Sequence, residues 1–178
     1  AWASVLWGTE NYTEWECSVS TNAIDNQKIW AGLKLTNDQL VATDADQAYF
    51  KFQTDATNSE AFTDFTLLHF VHSIGGTDYI SALPITVAAN TTYHLKVVID
   101  GDRKATIFVN GQQYNVTTTA GSTGGTAVTA VSEGATVTKT AALTDDVDFI
   151  PYIGIEAGAA AAEALDVHYQ AINRIIFE

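Results

Sequence analysis

Paired acidic side chains are the first candidates for chemistry in this sequence. Glu14 and Glu16 alternate along a predicted strand, so their carboxylates share one face of a sheet. Two carboxylates about 5 Å apart on one face are what a retaining glycoside hydrolase requires. A second pair, Glu163 and Asp166, has a spacing that does not suit this geometry. We interpret both pairs as solvated surface charge and predict that the protein is not an enzyme.

The histidines are the next candidates, as metal ligands or general bases. His69 and His72 are three residues apart in a predicted strand, so they face opposite sides and cannot both reach one metal. His94 and His168 occupy polar positions of their strands, where an exposed side chain is the ordinary outcome. No nucleophile-elbow, zinc-protease or phosphate-loop motif is present. The sequence therefore predicts no catalytic residue, no metal site and no cofactor.

Two further features could bind a ligand. Trp30 and Tyr49 lie on the polar faces of their strands, where flat rings could form a platform for a sugar. The alternative is that this face packs under a loop or against another subunit. The acidic loop residues 44–46 and 145–148 could supply oxygen ligands to a hard cation, but they lack the order of an EF-hand, and surface charge is the more common explanation of such residues.

Strands must position these side chains, and alternating apolar and polar residues predict where the strands lie. Residues 28–35 and 47–53 each read as a strand with one face in the core. Their apolar set comprises Ile29, Ala31, Leu33, Leu35, Ala48, Phe50 and Phe52, and the set placed outside comprises Lys28, Trp30, Gly32, Lys34, Gln47, Tyr49, Lys51 and Gln53. Residues 65–74 are apolar on both faces, which predicts a central strand covered on each side.

The later part of the chain continues this pattern. Residues 93–117 predict three antiparallel strands, because Asn110-Gly111 is a strong signal for a two-residue hairpin turn. Residues 118–146 are rich in Thr, Ala and Gly and predict a long surface excursion. Strands follow at 147–156, with Pro151 indicating an edge or a strand start, and at 165–177.

No segment longer than a few residues has the periodicity of an amphipathic helix. We therefore predict an all-β fold, a two-sheet antiparallel β-sandwich, in which residues 1–178 form a single domain. The absence of an internal period excludes a solenoid or a propeller.

The order of these pieces resembles the concanavalin A-like lectin/glucanase jelly roll. The resemblance rests on residues 15–19 and 29–36, on the hairpin 93–111, and on residues 165–169, and it implies that the terminal strands lie side by side. Glucanases of this fold carry a Glu-x-Asp-x-(x)-Glu arrangement, which this sequence lacks. Residues 42–50 further resemble jelly-roll domains in structural proteins of tailed, especially marine, bacteriophages.

Composition limits the possible partners. The chain has 178 residues, is 47% hydrophobic and carries a formal net charge of -13, so it can build a core but offers no basic face to nucleic acid. The sequence contains no run of eighteen apolar residues, so it predicts no membrane-spanning helix. Cys17, the single cysteine, reads as a small buried apolar residue. Since the chain lacks an initial Met and a leader, we expect a matured or excised product.

The resemblance implies a non-enzymatic structural protein on the virion exterior, in a capsid decoration, a fibre or a tail. Its expected partners are copies of itself, as a trimer by analogy, and neighbouring virion proteins, with a host-surface glycan as a further candidate. The alternative function is a carbohydrate-binding module or lectin that uses Trp30 and Tyr49. A glycoside hydrolase is the third reading, and it lacks a suitable carboxylate pair.

Overall fold

The computed structural model describes residues 7–10, 12–54, 60, 62–158 and 162–174. Twelve strands are found in this part of the chain. In order they are β1 (Trp7–Gly8), β2 (Glu14–Thr21), β3 (Gln27–Lys34), β4 (Gln47–Gln53), β5 (Leu67–Ile74), β6 (Thr77–Thr86), β7 (Tyr93–Ile99), β8 (Ala105–Val109), β9 (Gln112–Tyr114), β10 (Thr126–Ala127), β11 (Asp148–Ala157) and β12 (Leu165–Asn173). No helix in these ranges is long and apolar enough to cross a membrane.

Two sheets pack face to face, which confirms the predicted all-β sandwich. The seven-stranded sheet has the order β1-β11-β3-β4-β5-β6-β10, and the five-stranded sheet has the order β12-β2-β7-β8-β9. All neighbours pair antiparallel except β10, which runs parallel to β6. The N-terminal strand β2 lies beside the C-terminal strand β12, so the predicted adjacency of terminal strands is confirmed.

The hairpin region follows its sequence signals closely. Asn110 and Gly111 take positive φ angles of 51° and 80°, the conformation that a two-residue turn between twisted strands requires. At the preceding turn, the Asp100 carboxylate accepts hydrogen bonds from the backbone N–H groups of Asp102 and Lys104. The third strand ends at Tyr114, three residues before the predicted end.

The main core lies between the two sheets. Alternate side chains of β3, β4, β7 and β8 fill it, and Trp15 and Phe70 are among its largest fully buried members. Cys17 belongs to this core, where burial raises the pKa of its thiol to about 12. The expectation that this cysteine is a small buried apolar residue is therefore confirmed.

The central position of β5 is also confirmed, because it lies between β4 and β6 and is buried on both faces. Its two histidines face opposite sides, as their spacing predicts. His72 stacks between the rings of Phe70 and Tyr79 on the core side, whereas His69 stacks on Phe62 on the outer side, with ring centroids 4.2 Å apart.

One expectation about β3 and β4 is wrong. Their polar faces were expected to lie outside, yet every residue of both strands is buried. The reason is that residues 35–46, which we call the cover segment, and the side chain of Phe62 pack over the outer face of the seven-stranded sheet. Alternation of residue types reported which side chains share a face, but it could not report that the connection between these two strands folds back over that face.

Residues 118–146, where a surface excursion is predicted, contain one short strand, β10. Most of their side chains are exposed or half-buried, and the segment is tied to the hairpin by the Asn115 side chain, whose amide donates to the hydroxyl of Thr129 (3.1 Å). Thr140 and Leu143 are the exceptions, and Leu143 is buried in the main core. Pro151 lies within β11, opposite Leu33 of β3, and whether its other side is an edge depends on residues outside the described ranges.

Candidate functional site

The outer face of the seven-stranded sheet is buried beneath the cover segment, and we call it the covered face. It carries a second, smaller apolar cluster of Trp30, Val41, Tyr49, Phe62, Val71 and Ile80. Val41 comes from a single 3-10 turn in the cover segment. Interleaved with these apolar side chains are Lys28, Lys34, Gln47, Lys51, Gln53, His69 and Ser73, all buried.

Both predicted carbohydrate-binding residues lie on this face, with their rings close together but covered. Trp30 is 6% exposed and Tyr49 is fully buried. The Trp30 indole lies flat over Gly154, where an added Cβ would approach its ring to 2.6 Å, and it stacks on Tyr152 at a centroid distance of 6.0 Å. Neither ring offers a free face in this conformation, so their role in binding carbohydrate stays a prediction.

A buried ion pair fastens the cover segment to the sheet. The Lys51 ammonium donates to the carboxylate of Glu60 and to the backbone carbonyl of Gln39 (2.9 Å). The other Glu60 oxygen accepts from the backbone N–H of Val41. Burial lowers the pKa of Lys51, although the Glu60 carboxylate opposes that shift. The cover segment is therefore held by groups that are costly to separate in a low-dielectric site.

Lys34 differs from Lys51 because its charge is poorly satisfied. Its Nζ atom is fully buried, lies 3.9 Å from Asp44 and sits 4.4 Å above the ring of Tyr49. Among the described residues, neither this ammonium nor the Tyr49 hydroxyl nor the amide oxygen of Gln47 has a hydrogen-bond partner. Burial lowers the pKa of Lys34 and raises that of Tyr49. Native structures rarely leave several such groups together, because each costs free energy.

The buried histidines are neutral near pH 7. Burial lowers the pKa of His69 to about 4 and that of His72 to about 3. His69 lies on the covered face with its Nδ1 atom 3.0 Å from the Leu67 carbonyl oxygen. A neutral imidazole on this face can donate or accept a hydrogen bond, but it brings no charge to a ligand.

The acidic candidates have structural partners. Asp44 accepts hydrogen bonds from the backbone N–H groups of Leu35 and Thr36, and Asp46 accepts from the N–H of Gly75. In the part of the chain that is described, no group of three or more His, Cys, Asp or Glu side chains could hold a metal ion.

Glu14 and Glu16 do share a face, as predicted, and the ammonium of Lys96 lies between them. Its Nζ atom is 2.5 Å from Glu14 and 3.9 Å from Glu16. Of the later acidic loop, Asp145 pairs with Arg103 at 3.3 Å.

Sequence reasoning missed Lys34, Lys51 and Glu60 as members of this site. The signal available was the period-two interleaving of lysines with Trp30 and Tyr49 on two adjacent strands, which already placed cations and flat rings on one face. Glu60 carried no signal, because it reaches the site from a connection whose path the sequence does not define.

Comparisons with known proteins report on the fold. No protein-family model matches the chain, and no curated protein matches it in sequence. Among solved structures, a substituted form of the family 7 alginate lyase A1-II′ in complex with substrate aligns with a TM-score of 0.53 and 12% identity, covering 98% of this chain and 65% of that one. The chain thus spans about two thirds of that enzyme's length.

Two other solved structures align with lower TM-scores. Galectin LEC-6 from Caenorhabditis elegans gives a TM-score of 0.46 at 16% identity, covering 94% of this chain and 86% of that one. The carbohydrate binding module CBM66 from Bacillus subtilis gives 0.43 at 13% identity, covering 97% and 76%. With the sheet order and the lyase alignment together, the chain has the concanavalin A-like jelly-roll fold.

Proposed function

We propose that this protein binds an acidic saccharide at the covered face and does not act on it chemically. The observation that carries the proposal is the group of buried polar atoms without partners around Tyr49, beside the ring of Trp30. A sugar that carries a carboxylate would accept hydrogen bonds from the Lys34 ammonium and donate its hydroxyls to Gln47. Its apolar face would stack on an aromatic ring.

Binding at this face requires the cover segment to move aside. The free energy of opening is subtracted from the intrinsic affinity, because only the open fraction of molecules can bind. Satisfying the buried groups around Lys34 offsets part of that cost. The alginate lyase with the same fold was solved with its substrate bound, which supports an acidic saccharide as the first ligand class to test.

The proposal that the protein is not an enzyme rests on the state of its carboxylates. Glu60 is bound by Lys51 and Val41, and Glu14 and Glu16 flank Lys96 on the opposite side of the sandwich. We expect no release of reducing or unsaturated ends from alginate or common β-glucans. Turnover that disappears in the Glu60→Gln variant would contradict this proposal.

Titration calorimetry with alginate oligosaccharides tests the binding proposal, because every ring of that polymer carries a carboxylate. We expect wild-type protein to bind, and we expect Lys34→Met to weaken binding by about tenfold or more through loss of a charge-assisted hydrogen bond. Lys28→Met is the matched control, since Lys28 lies on the same face of the same strand but is already paired with Glu156 at 3.0 Å. Equal affinity of Lys34→Met and wild type would contradict the proposal.

We further propose that the domain assembles with copies of itself, as a trimer by analogy, beside neighbouring proteins on a virion exterior. The sequence resemblance to bacteriophage structural proteins suggests the setting. In support, β2 is the single neighbour of β12 among the described strands, so β12 lies at an edge of the five-stranded sheet in this part of the chain. Val167 on that strand is 48% exposed.

Light scattering after gel filtration tests the assembly. We expect an oligomer in wild type and a shift toward monomer in Val167→Lys, because a charged edge residue opposes strand pairing between copies. Ile24→Lys changes another exposed aliphatic residue, in the connection that follows β2, and should leave the mass unchanged. A wild-type protein that stays monomeric at every concentration would contradict assembly, and immunogold labelling of purified particles would test the virion setting.

A further inference from the structure

A second candidate site lies on the opposite side of the sandwich. The outer face of the five-stranded sheet carries a groove of about 290 Å³, which we call the outer groove, lined mainly by Glu16, His94, Lys96, Phe108, Gly111 and Tyr169. Tyr169 is 41% exposed, and His94 is also exposed. Unlike the covered face, this groove presents aromatic rings and charged groups directly to solvent.

The register of three strands builds its aromatic wall. Ser18 pairs with Tyr169 on one side and with His94 on the other, so the two rings flank a small side chain. Their centroids are 6.2 Å apart and their planes are tilted by 36°. A bulge between Val167 and Tyr169 places Tyr169 on this outer face. The two rings therefore form a broad aromatic surface on either side of Ser18.

The next row across the sheet supplies polar groups. Glu16 pairs with Lys96, and Lys96 pairs with Phe108, so an acceptor, a donor and a third ring stand side by side. Glu16 and Lys96 are half-buried and 3.9 Å apart. With Glu14 on the same ammonium, the row has two carboxylates for one cation, and this excess of negative charge disfavours an anionic ligand.

We propose that the outer groove binds a neutral saccharide, independently of any binding at the covered face. A pyranose has an apolar face that suits Tyr169 and Phe108, and it has hydroxyls that can both donate to Glu16 and accept from Lys96. A nucleic acid would bring phosphates to a surface with excess negative charge. A neutral sugar is the ligand whose hydroxyls match both polar groups without adding charge.

Titrations of the intact protein with glucose, galactose and mannose oligosaccharides, monitored by amide NMR, test this proposal. We expect at least one series to bind and to shift the amide signals of His94 and Tyr169. Tyr169→Ala should raise the dissociation constant by about tenfold or more, as expected for loss of a central aromatic contact. Glu16→Gln keeps the shape of the side chain but removes its charge, and it should raise the dissociation constant by less than Tyr169→Ala does.

Two controls separate this site from the covered face. Tyr12→Ala removes a tyrosine of matching exposure, 42%, from another part of the surface and should leave binding unchanged. Lys34→Met, which changes the covered face and is expected to fold, should likewise leave neutral-saccharide binding unchanged. The proposal is overturned if no neutral oligosaccharide binds, if Tyr169→Ala binds as well as wild type, or if Lys34→Met removes neutral-saccharide binding. The alginate titrations test binding at the covered face separately, so a negative result at one site does not decide the result at the other.

Discussion

Replacing Lys51 with Met should destabilise the protein by about 3–5 kcal/mol, the usual cost of removing one partner from a buried ion pair. Lys51 is fully buried, and its loss leaves the Glu60 carboxylate without its cation in a site closed to solvent. It also removes the hydrogen bond to the Gln39 carbonyl that fastens the cover segment. Urea unfolding at pH 7, followed by tryptophan fluorescence, measures this change.

A double variant shows whether the stranded charge is the cause. In Lys51→Met/Glu60→Gln the remaining side chain is neutral and can still accept from the Val41 N–H. We expect it to recover at least half of the lost stability, because an uncharged amide is cheaper to bury than a carboxylate. A loss below about 1 kcal/mol in Lys51→Met, the range of exposed ion pairs, would mean that solvent reaches this pair.

Replacing Lys34 with Met should have the opposite effect and stabilise the protein by about 1–3 kcal/mol, the usual penalty for a buried polar group that has no hydrogen-bond partner. The Lys34 ammonium is buried and makes no hydrogen bond to any described residue, so Met of similar length keeps the packing and removes the desolvated charge. Asp44 stays satisfied, because three donors from Leu35 and Thr36 remain. Lys34 is therefore expected to lower the stability of the wild-type protein. We attribute its presence to a role in ligand binding.

The pH dependence of this gain has a definite sign. Because burial lowers the pKa of Lys34 below 10.5 in the folded state, the unfolded chain binds more protons between that lowered pKa and 10.5. Wild-type stability therefore rises with pH across this window, and the advantage of Lys34→Met should shrink. Lys28→Met, which removes an amine paired with Glu156, should give no gain. A Lys34→Met protein less stable than wild type would show that the ammonium has partners that stabilise it.

Much of the fold could be predicted from local patterns. The Asn110-Gly111 turn, the central strand β5 and the opposite directions of His69 and His72 follow from residue conformational preferences and from the period of two along a strand. These features depend on neighbours in sequence, or on burial of a whole face.

The two candidate sites depend on a covering segment and on a β-bulge, neither of which such local patterns predict. The period of two put Trp30 and Tyr49 on one face, but their burial comes from the cover segment, which the sequence does not mark as folding back over the sheet. Tyr169 would share a face with Val167 under strict alternation. The bulge between them moves Tyr169 into the outer groove, and no residue type in this segment predicts a bulge.

The affinity of Val41→Ala for alginate oligosaccharides tests most directly whether the covered face is a binding site. Val41 is the fully buried anchor of the cover segment, so its truncation should make opening easier without removing a predicted sugar contact. We expect a lower dissociation constant than in wild type. Val97→Ala, an equally buried change in the main core, should leave it unchanged. A folded Val41→Ala protein that binds no more tightly than wild type would contradict the account.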